Sequence, residues 1–173
     1  RSPSRGLGDV YKRQLSLRVL KKFTDAQHAI LQAFAQQHNC LVNVQENKQE
    51  GTPTAYPHSM QYRLPEQQLK INFNWGDFTQ ANRQLNRQMV SHAVALLQLN
   101  EQDNVLDGFC GLGNFTLAIA QQAESVIGIE GSLAMTQHAQ ANAELNNIDN
   151  ISFLQRNLMD ADSLKTLSKK KFN

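Results

Sequence analysis

The chain has 173 residues, of which 40% are hydrophobic and 18% charged, with a formal net charge of +2 and two cysteines. That size and composition suit one soluble domain, or a small domain plus part of another. The charge is too small to argue nucleic-acid binding by itself, no apolar run has transmembrane length, no secretory leader is visible, and two cysteines make neither a disulfide framework nor a metal cluster.

Residues 1–14 (RSPSRGLGDVYKRQ) carry no helical or strand period and change abruptly into an alternating run. They resemble a translated adapter or vector sequence and are expected to be a non-native tail. Leu15, Leu17 and Val19 then alternate with polar residues and predict a strand. Thr24 with Gln27 predicts a capping box. The helix it opens carries Ile30, Leu31, Ala33 and Phe34 and stops near His38 and Asn39. Residues 40–44 alternate again and predict a strand paired with the first. Residues 46–59, with Gly51, Pro53 and Pro57, read as a polar loop. Residues 62–64 and 69–73 predict a hairpin around Pro65, Glu66 and Gln67. A boundary between two regions is expected at Trp75, Gly76 and Asp77.

In the second region, residues 82–97 predict a helix with Leu85, Met89, Ala93, Leu96 and Leu97 on one side. A strand at 104–106, a glycine turn, a helix at 115–120, a strand at 126–130, a helix at 133–145 and a strand at 151–154 follow. This alternation predicts a parallel sheet covered by helices, an α/β fold.

The glycine turn carries the functional signal. Gly111 and Gly113 let the backbone turn sharply and approach a ligand without a Cβ in the way. The helix after the turn points its free N–H groups back into it. The next strand ends in Glu130, and a carboxylate there can accept two hydrogen bonds from ribose hydroxyls. A dinucleotide fingerprint would want a third glycine near Thr116. Its absence favours S-adenosylmethionine, which has no pyrophosphate to cradle. Asn114 opens the helix, where its amide can cap and meet a ligand. Asp107 is expected to orient the turn through backbone N–H bonds. Cys110 lies beside a helix N-terminus, a position that lowers thiol pKa, while Cys40 reads as buried and inert. Asn142, Asn146 and Asn147 read as a helix end. The five histidines lack ligand spacing, so no metal site is argued. Residues 165–171 form a basic run that reads as a solvated face.

Three motifs carry a family resemblance. Ser59-Met60-Gln61-Tyr62-Arg63-Leu64-Pro65 is similar to an L-x-Y-x-L-P segment. Asp77-Phe78-Thr79-Gln80-Ala81-Asn82, with Asn86 and Met89, is similar to a D-F-I-Q-V-N helix opening. Leu106 to Phe115 is similar to L-D-L-F-C-G-x-G-N-F. From Leu15 onward the chain resembles the bacterial 23S rRNA (uracil-5-)-methyltransferases of the RlmD type, within the RNA 5-methyluridine methyltransferase family. Gly108, Thr79 and Ala81 depart from the family's apolar residues, which touches packing more than chemistry.

The resemblance implies a Rossmann-like S-adenosylmethionine-dependent methyltransferase fold with a truncated parallel sheet. Residues 15–76 would be part of a small central α+β domain and residues 77–173 the N-terminal half of the methyltransferase domain. It implies cofactor contacts from Gln80, Phe109, Gly111, Gly113, Asn114, Glu130 and Asn157. It further implies 23S rRNA as partner, a cytoplasmic monomer with no membrane contact, and no resident metal. The RNA-binding barrel and iron–sulfur cysteines of the full-length parent would precede Leu15. The D-P-P-R strand, nucleophilic cysteine and base would follow Asn173, so no catalytic residue is assigned here. Cys110 is not expected to be the nucleophile, because in the family that thiol comes from a later loop. The chain is expected to be an inactive central fragment of marginal stability. Three other readings stay open: a tRNA 5-methyluridine methyltransferase, a nucleotide-dependent oxidoreductase of Rossmann type, and a non-catalytic RNA-binding module.

Overall fold

The computed structural model describes residues 13–38, 40–46, 54–56, 60–74, 76–160 and 172. The tail up to residue 12, the loop stretches 47–53 and 57–59, Trp75 and the basic run 165–171 lie outside the described residues. The chain divides into two compact units, residues 1–62 with 72–76, and residues 63–71 with 77–173.

The first unit is built on β1 (Arg13–Val19), α1 (Asp25–Gln37), β2 (Cys40–Glu46) and β3 (Thr54–Tyr56). β1 and β2 run parallel in register from Arg13↔Cys40 to Val19↔Glu46. Arg13 and Gln14, assigned to the tail by sequence, are therefore strand residues: both pair with β2. Both halves of the capping box are present, with the Gln27 N–H donating to the Thr24 hydroxyl and the Thr24 N–H to the Gln27 side chain. The core comprises Ala35, Cys40, Val42 and Val44, with Leu17, Val19, Phe23 and Leu31 packed against it. Of the four apolar residues that marked α1 in the sequence, Ile30, Ala33 and Phe34 are exposed, and Leu31 with Ala35 makes the core contact. β3 pairs antiparallel with β2 inside the stretch read as loop. Three residues between Pro53 and Pro57 are too few to show alternation.

β4 (Met60–Leu64) and β5 (Leu69–Phe73) form a two-stranded sheet joined through a 3-10 turn at Pro65–Gln67. So short a connection excludes a parallel crossover. Alternate residues are buried on both strands: Met60, Tyr62 and Leu64 on one, Leu69, Ile71 and Phe73 on the other.

The second unit continues with α2 (Arg83–Leu97), β6 (Asn104–Gly108), α3 (Thr116–Ala120), β7 (Ser125–Glu130), α4 (Leu133–Leu145) and β8 (Ile151–Gln155). Asn82 caps α2 by accepting the Leu85 N–H. The buried stripe of α2 is Asn86, Val90 and Val94, whereas Leu85, Leu96 and Leu97 are exposed. The inward face is thus rotated from the one the leucines suggested. β6, β7 and β8 form a parallel sheet in that order, with Gly108↔Ile129 and Glu130↔Gln155 in register at its C-terminal edge. Ile127 and Ile129 anchor one cluster, with Leu106, Leu154, Leu158 and Phe172 packed on it. Gly128 permits the packing around β7: a Cβ there would lie 2.7 Å from Phe153 Cδ1 and 3.1 Å from Cys110 Sγ.

Candidate cofactor site

Three parallel strands deliver their C-terminal ends to one edge, and the residues that follow them make the candidate site. Open parallel sheets bind ligands at such an edge. Phe109 leaves β6, Glu130 is the last residue of β7, and Asn157 lies two residues beyond β8.

The turn after β6 needs three left-handed residues in five: Phe109 at φ +60°, Gly111 at +55° and Gly113 at +88°. Glycine takes this conformation freely, but phenylalanine does so at a cost of roughly 1–3 kcal/mol, a strain that tends to collect at functional sites. Phe109 is 67% exposed. A core phenylalanine would be covered, so its display fits a ligand contact.

Each part of the turn is held. The Cys110 N–H donates to Ile129 O at 2.9 Å, and the Gly113 N–H to Cys110 O at 2.9 Å. Glu130 reaches across, its Oε2 accepting the Gly111 N–H at 3.2 Å and its Oε1 the Ser132 N–H at 3.0 Å. A carboxylate offers about four acceptor positions, so these two bonds orient Glu130 while leaving capacity for two hydroxyls. Buried Asn142 on α4 donates to Leu112 O at 3.1 Å. Asn146 donates to Lys70 O at 2.7 Å and accepts the Lys70 N–H at 2.9 Å, pairing with β5 as a strand residue would. As read from sequence, these asparagines lie at the end of α4, with Asn146 its C-cap, and from there they support the turn and the hairpin.

The polar groups under the turn are structural. Asp107 Oδ2 accepts the Thr116 hydroxyl at 2.5 Å, and Thr116 is fully buried. Burial pushes the Asp107 carboxyl up from its usual range, and the Thr116 hydrogen bonds draw it back. Asp107 therefore serves the turn through Thr116. Burial pushes the Cys110 thiol up to about 12, with the nearby Asp107 and Glu130 carboxylates adding to the shift. This reverses the lowering expected from a helix N-terminus: desolvation and two neighbouring acids outweigh it. Cys110 stays a protonated packing residue against Gly128, and buried Cys40 lies in the first unit.

Asn114 is half-buried, and its amide forms a reciprocal pair with Asn86 of α2: each Nδ2 donates to the other's Oδ1 at 3.0 Å. Gln80 is exposed in the extended segment before the Asn82 cap. That segment is tethered at its start, where Asp77 Oδ2 lies 3.0 Å from His138 Nδ1 on α4. Asn157 is exposed and accepts the Met159 N–H at 3.0 Å. Glu130, Gly111, Gly113, Asn114 and Phe109 are thus joined in one local structure, while among the described residues no hydrogen bond ties Gln80 or Asn157 to it. Asn86, Asn142 and His138 were not foreseen as site residues. Their signal was a polar residue in or beside an apolar helical stripe.

Among the described residues no group of three or more His, Cys, Asp or Glu side chains is placed to hold a metal ion. An iron–sulfur cluster takes about four thiolates, more than the two cysteines of this chain. Among the described residues no helix is long and apolar enough to cross a membrane.

Residues 13–172 match the family described as tRNA (Uracil-5-)-methyltransferase. The chain is 44% identical over 152 residues to the 23S rRNA (uracil(1939)-C(5))-methyltransferase RlmD of Cupriavidus necator, a match covering 84% of this chain and 34% of that protein. It is 37% identical over 163 residues to the protein of the same name from Legionella pneumophila, covering 92% and 37%. The chain therefore spans about a third of the length of these relatives. Among solved structures, the Pyrococcus abyssi tRNA (uracil-54, C5)-methyltransferase in complex with S-adenosyl-L-homocysteine superposes with a TM-score of 0.61 at 16% identity, over 82% of this chain and 35% of that one. Trm5b of the same organism gives 0.53 at 16%, over 84% and 46%. At such identities they speak for the fold, which is the α/β Rossmann-like fold of S-adenosylmethionine-dependent methyltransferases.

Proposed function

The chain belongs to the tRNA (uracil-5-)-methyltransferase family, and from that premise we propose that its protein transfers a methyl group from S-adenosylmethionine to carbon 5 of a uridine in 23S rRNA. The observation that carries the cofactor half of this reading is the Glu130 carboxylate, fixed by the Gly111 and Ser132 N–H groups at the end of the central strand. It has the acceptor capacity and the position to take both hydroxyls of a ribose. When bound, S-adenosylmethionine supplies an electrophilic methyl group. Gly111 and Gly113 keep side chains out of its path, and the Phe109 ring offers an exposed apolar face beside Glu130. Asn114 presents its amide at the same turn. Gln80, on the lead-in segment, and Asn157, beyond β8, are assigned further cofactor contacts by the family resemblance alone.

Methylation at uracil carbon 5 calls for a thiolate that adds to carbon 6 and a base that removes the carbon-5 proton. Cys110 is unsuited, since its thiol is held protonated beneath the cofactor turn. Cys40 is buried in the other unit. The reading assigns both groups to the two thirds of the relatives' length that this chain does not span, so the chain alone is inactive. The 23S substrate is preferred because relatives of 37–44% identity carry that name. Phe109-Cys110-Gly111-Leu112-Gly113-Asn114-Phe115 also differs from the Y-C-G-N-G-N-F typical of the tRNA enzymes. A cytoplasmic, monomeric protein acting on RNA completes the proposal.

The test is the protein from the full reading frame, incubated with methyl-labelled cofactor and unmodified 23S rRNA, followed by nucleoside analysis. Label is expected in 5-methyluridine. Label in adenine, guanine or protein would sink the assignment, and label in tRNA but not rRNA would move it to the tRNA branch.

A further inference from the structure

We infer that Asn86 is a positioning residue for the cofactor site, acting through Asn114. The inference rests on the cofactor reading above and adds a residue to it. Asn86 begins the buried stripe of α2 that continues through Val90 and Val94, and it is 5% exposed. A buried amide is costly unless hydrogen-bonded. The Asn86 amide is bonded side chain to side chain, twice, with Asn114 in the glycine turn.

A two-bond amide pair does what one bond does not. It fixes the rotation of the Asn114 side chain, so that oxygen and nitrogen keep their places. Asn114 therefore holds a defined orientation at the glycine turn, where the cofactor reading puts its ligand contact. Asn86 is also the fourth residue beyond the Asn82 cap, and its own N–H donates to Asn82 O at 2.9 Å. The segment carrying Gln80 leads directly into that cap. One side chain thus ties the first turn of α2 to the glycine turn, so the Gln80 segment and Asn114 share one anchor.

The experiment uses the protein from the full reading frame and calorimetric titration with S-adenosylhomocysteine, with urea unfolding of each variant alongside. Asn86→Ala is expected to lose about ten-fold in affinity, close to the loss for Asn114→Ala. The double variant is expected to bind no more weakly than Asn114→Ala alone, because the first substitution acts through the second residue. A residue that only packs would lower the unfolding midpoint and leave affinity unchanged, or would add its loss to that of Asn114→Ala. Either result overturns the inference. Should Asn86→Ala fail to fold, Asn86→Asp keeps the shape and the acceptor but loses the donor to Asn114 Oδ1. Its affinity is expected to recover as pH falls and the new carboxyl gains a proton to donate; affinity equal to wild type at neutral pH, or no recovery, overturns the inference. A wild-type protein that does not bind S-adenosylhomocysteine overturns the cofactor reading as well, whereas wild-type binding with unchanged variants overturns this inference alone.

Discussion

Each compact unit of the chain contains a β–α–β unit, and both end their second strand in a glutamate that reaches back to the loop after the first. In the first unit Glu46 closes β2 and its Oε1 accepts the Phe23 N–H at 2.9 Å, with His28 Nε2 at 3.1 Å from the same oxygen. In the second, Glu130 closes β7 and accepts the Gly111 N–H. What surrounds the acid differs. The first loop has no left-handed residue among those described; its helix is capped by Thr24, and its Phe23 ring packs on the core and meets the His28 ring edge-on. The second loop has three left-handed residues and displays its phenylalanine. The same topology turns its loop phenylalanine onto the core in one unit and displays it in the other. A strand-end acid is therefore a site only when its loop holds backbone and ring away from it.

That contrast can be attacked at several points. The largest effect is expected at Cys110. A thiol raised from an ordinary 9.0 to about 12 by the fold contributes stability that is fully present below pH 9 and lost as pH rises toward 12. By linkage the loss amounts to at most about 4 kcal/mol. Cys110→Ala should flatten the alkaline limb of the unfolding free energy over that window, measured by urea titration at a series of pH values. An unchanged slope would mean that the thiol ionises freely.

Next come the two acids. Glu130→Ala should weaken S-adenosylhomocysteine binding by about one to two decades, the loss of two charge-assisted bonds in part replaced by water. Glu46→Ala should leave that affinity alone and lower stability by about 1–2 kcal/mol. If both substitutions spared binding, the contrast between the corners would have no functional content. Gly128→Ala should cost about 1–3 kcal/mol by overpacking against Phe153 and Cys110, seen as a lower unfolding midpoint. The smallest effect belongs to Thr24→Ala, which removes the cap of α1 at about 1 kcal/mol with no change in cofactor affinity.

How much of this the sequence disclosed follows from the length scale of each signal. Helix α4 was legible to the residue at Leu133 and Leu145, because Ser132 caps a segment with no glycine or proline. The capping box at Thr24 and the parallel order β6-β7-β8 were legible for the same reason: local chemistry and alternation both specify them. The inward face of α2 was not. Counting leucines picks Leu85 and Leu96, whereas the buried stripe starts at a polar residue whose partner, Asn114, is 28 positions away. Cys110 misled in the same manner, since its environment is set by Asp107 and Glu130 rather than by the helix beside it. β3 was lost to its length of three residues. Long-range pairings of polar groups leave no periodic trace.

The most direct test of the Glu130 corner is a pair of titrations on the protein from the full reading frame, one with S-adenosylhomocysteine and one with NAD. The account predicts saturable binding of S-adenosylhomocysteine that Glu130→Ala weakens and Glu46→Ala leaves intact, with no binding of NAD at comparable concentration. Binding of NAD in its place, or S-adenosylhomocysteine affinity indifferent to Glu130, would contradict it.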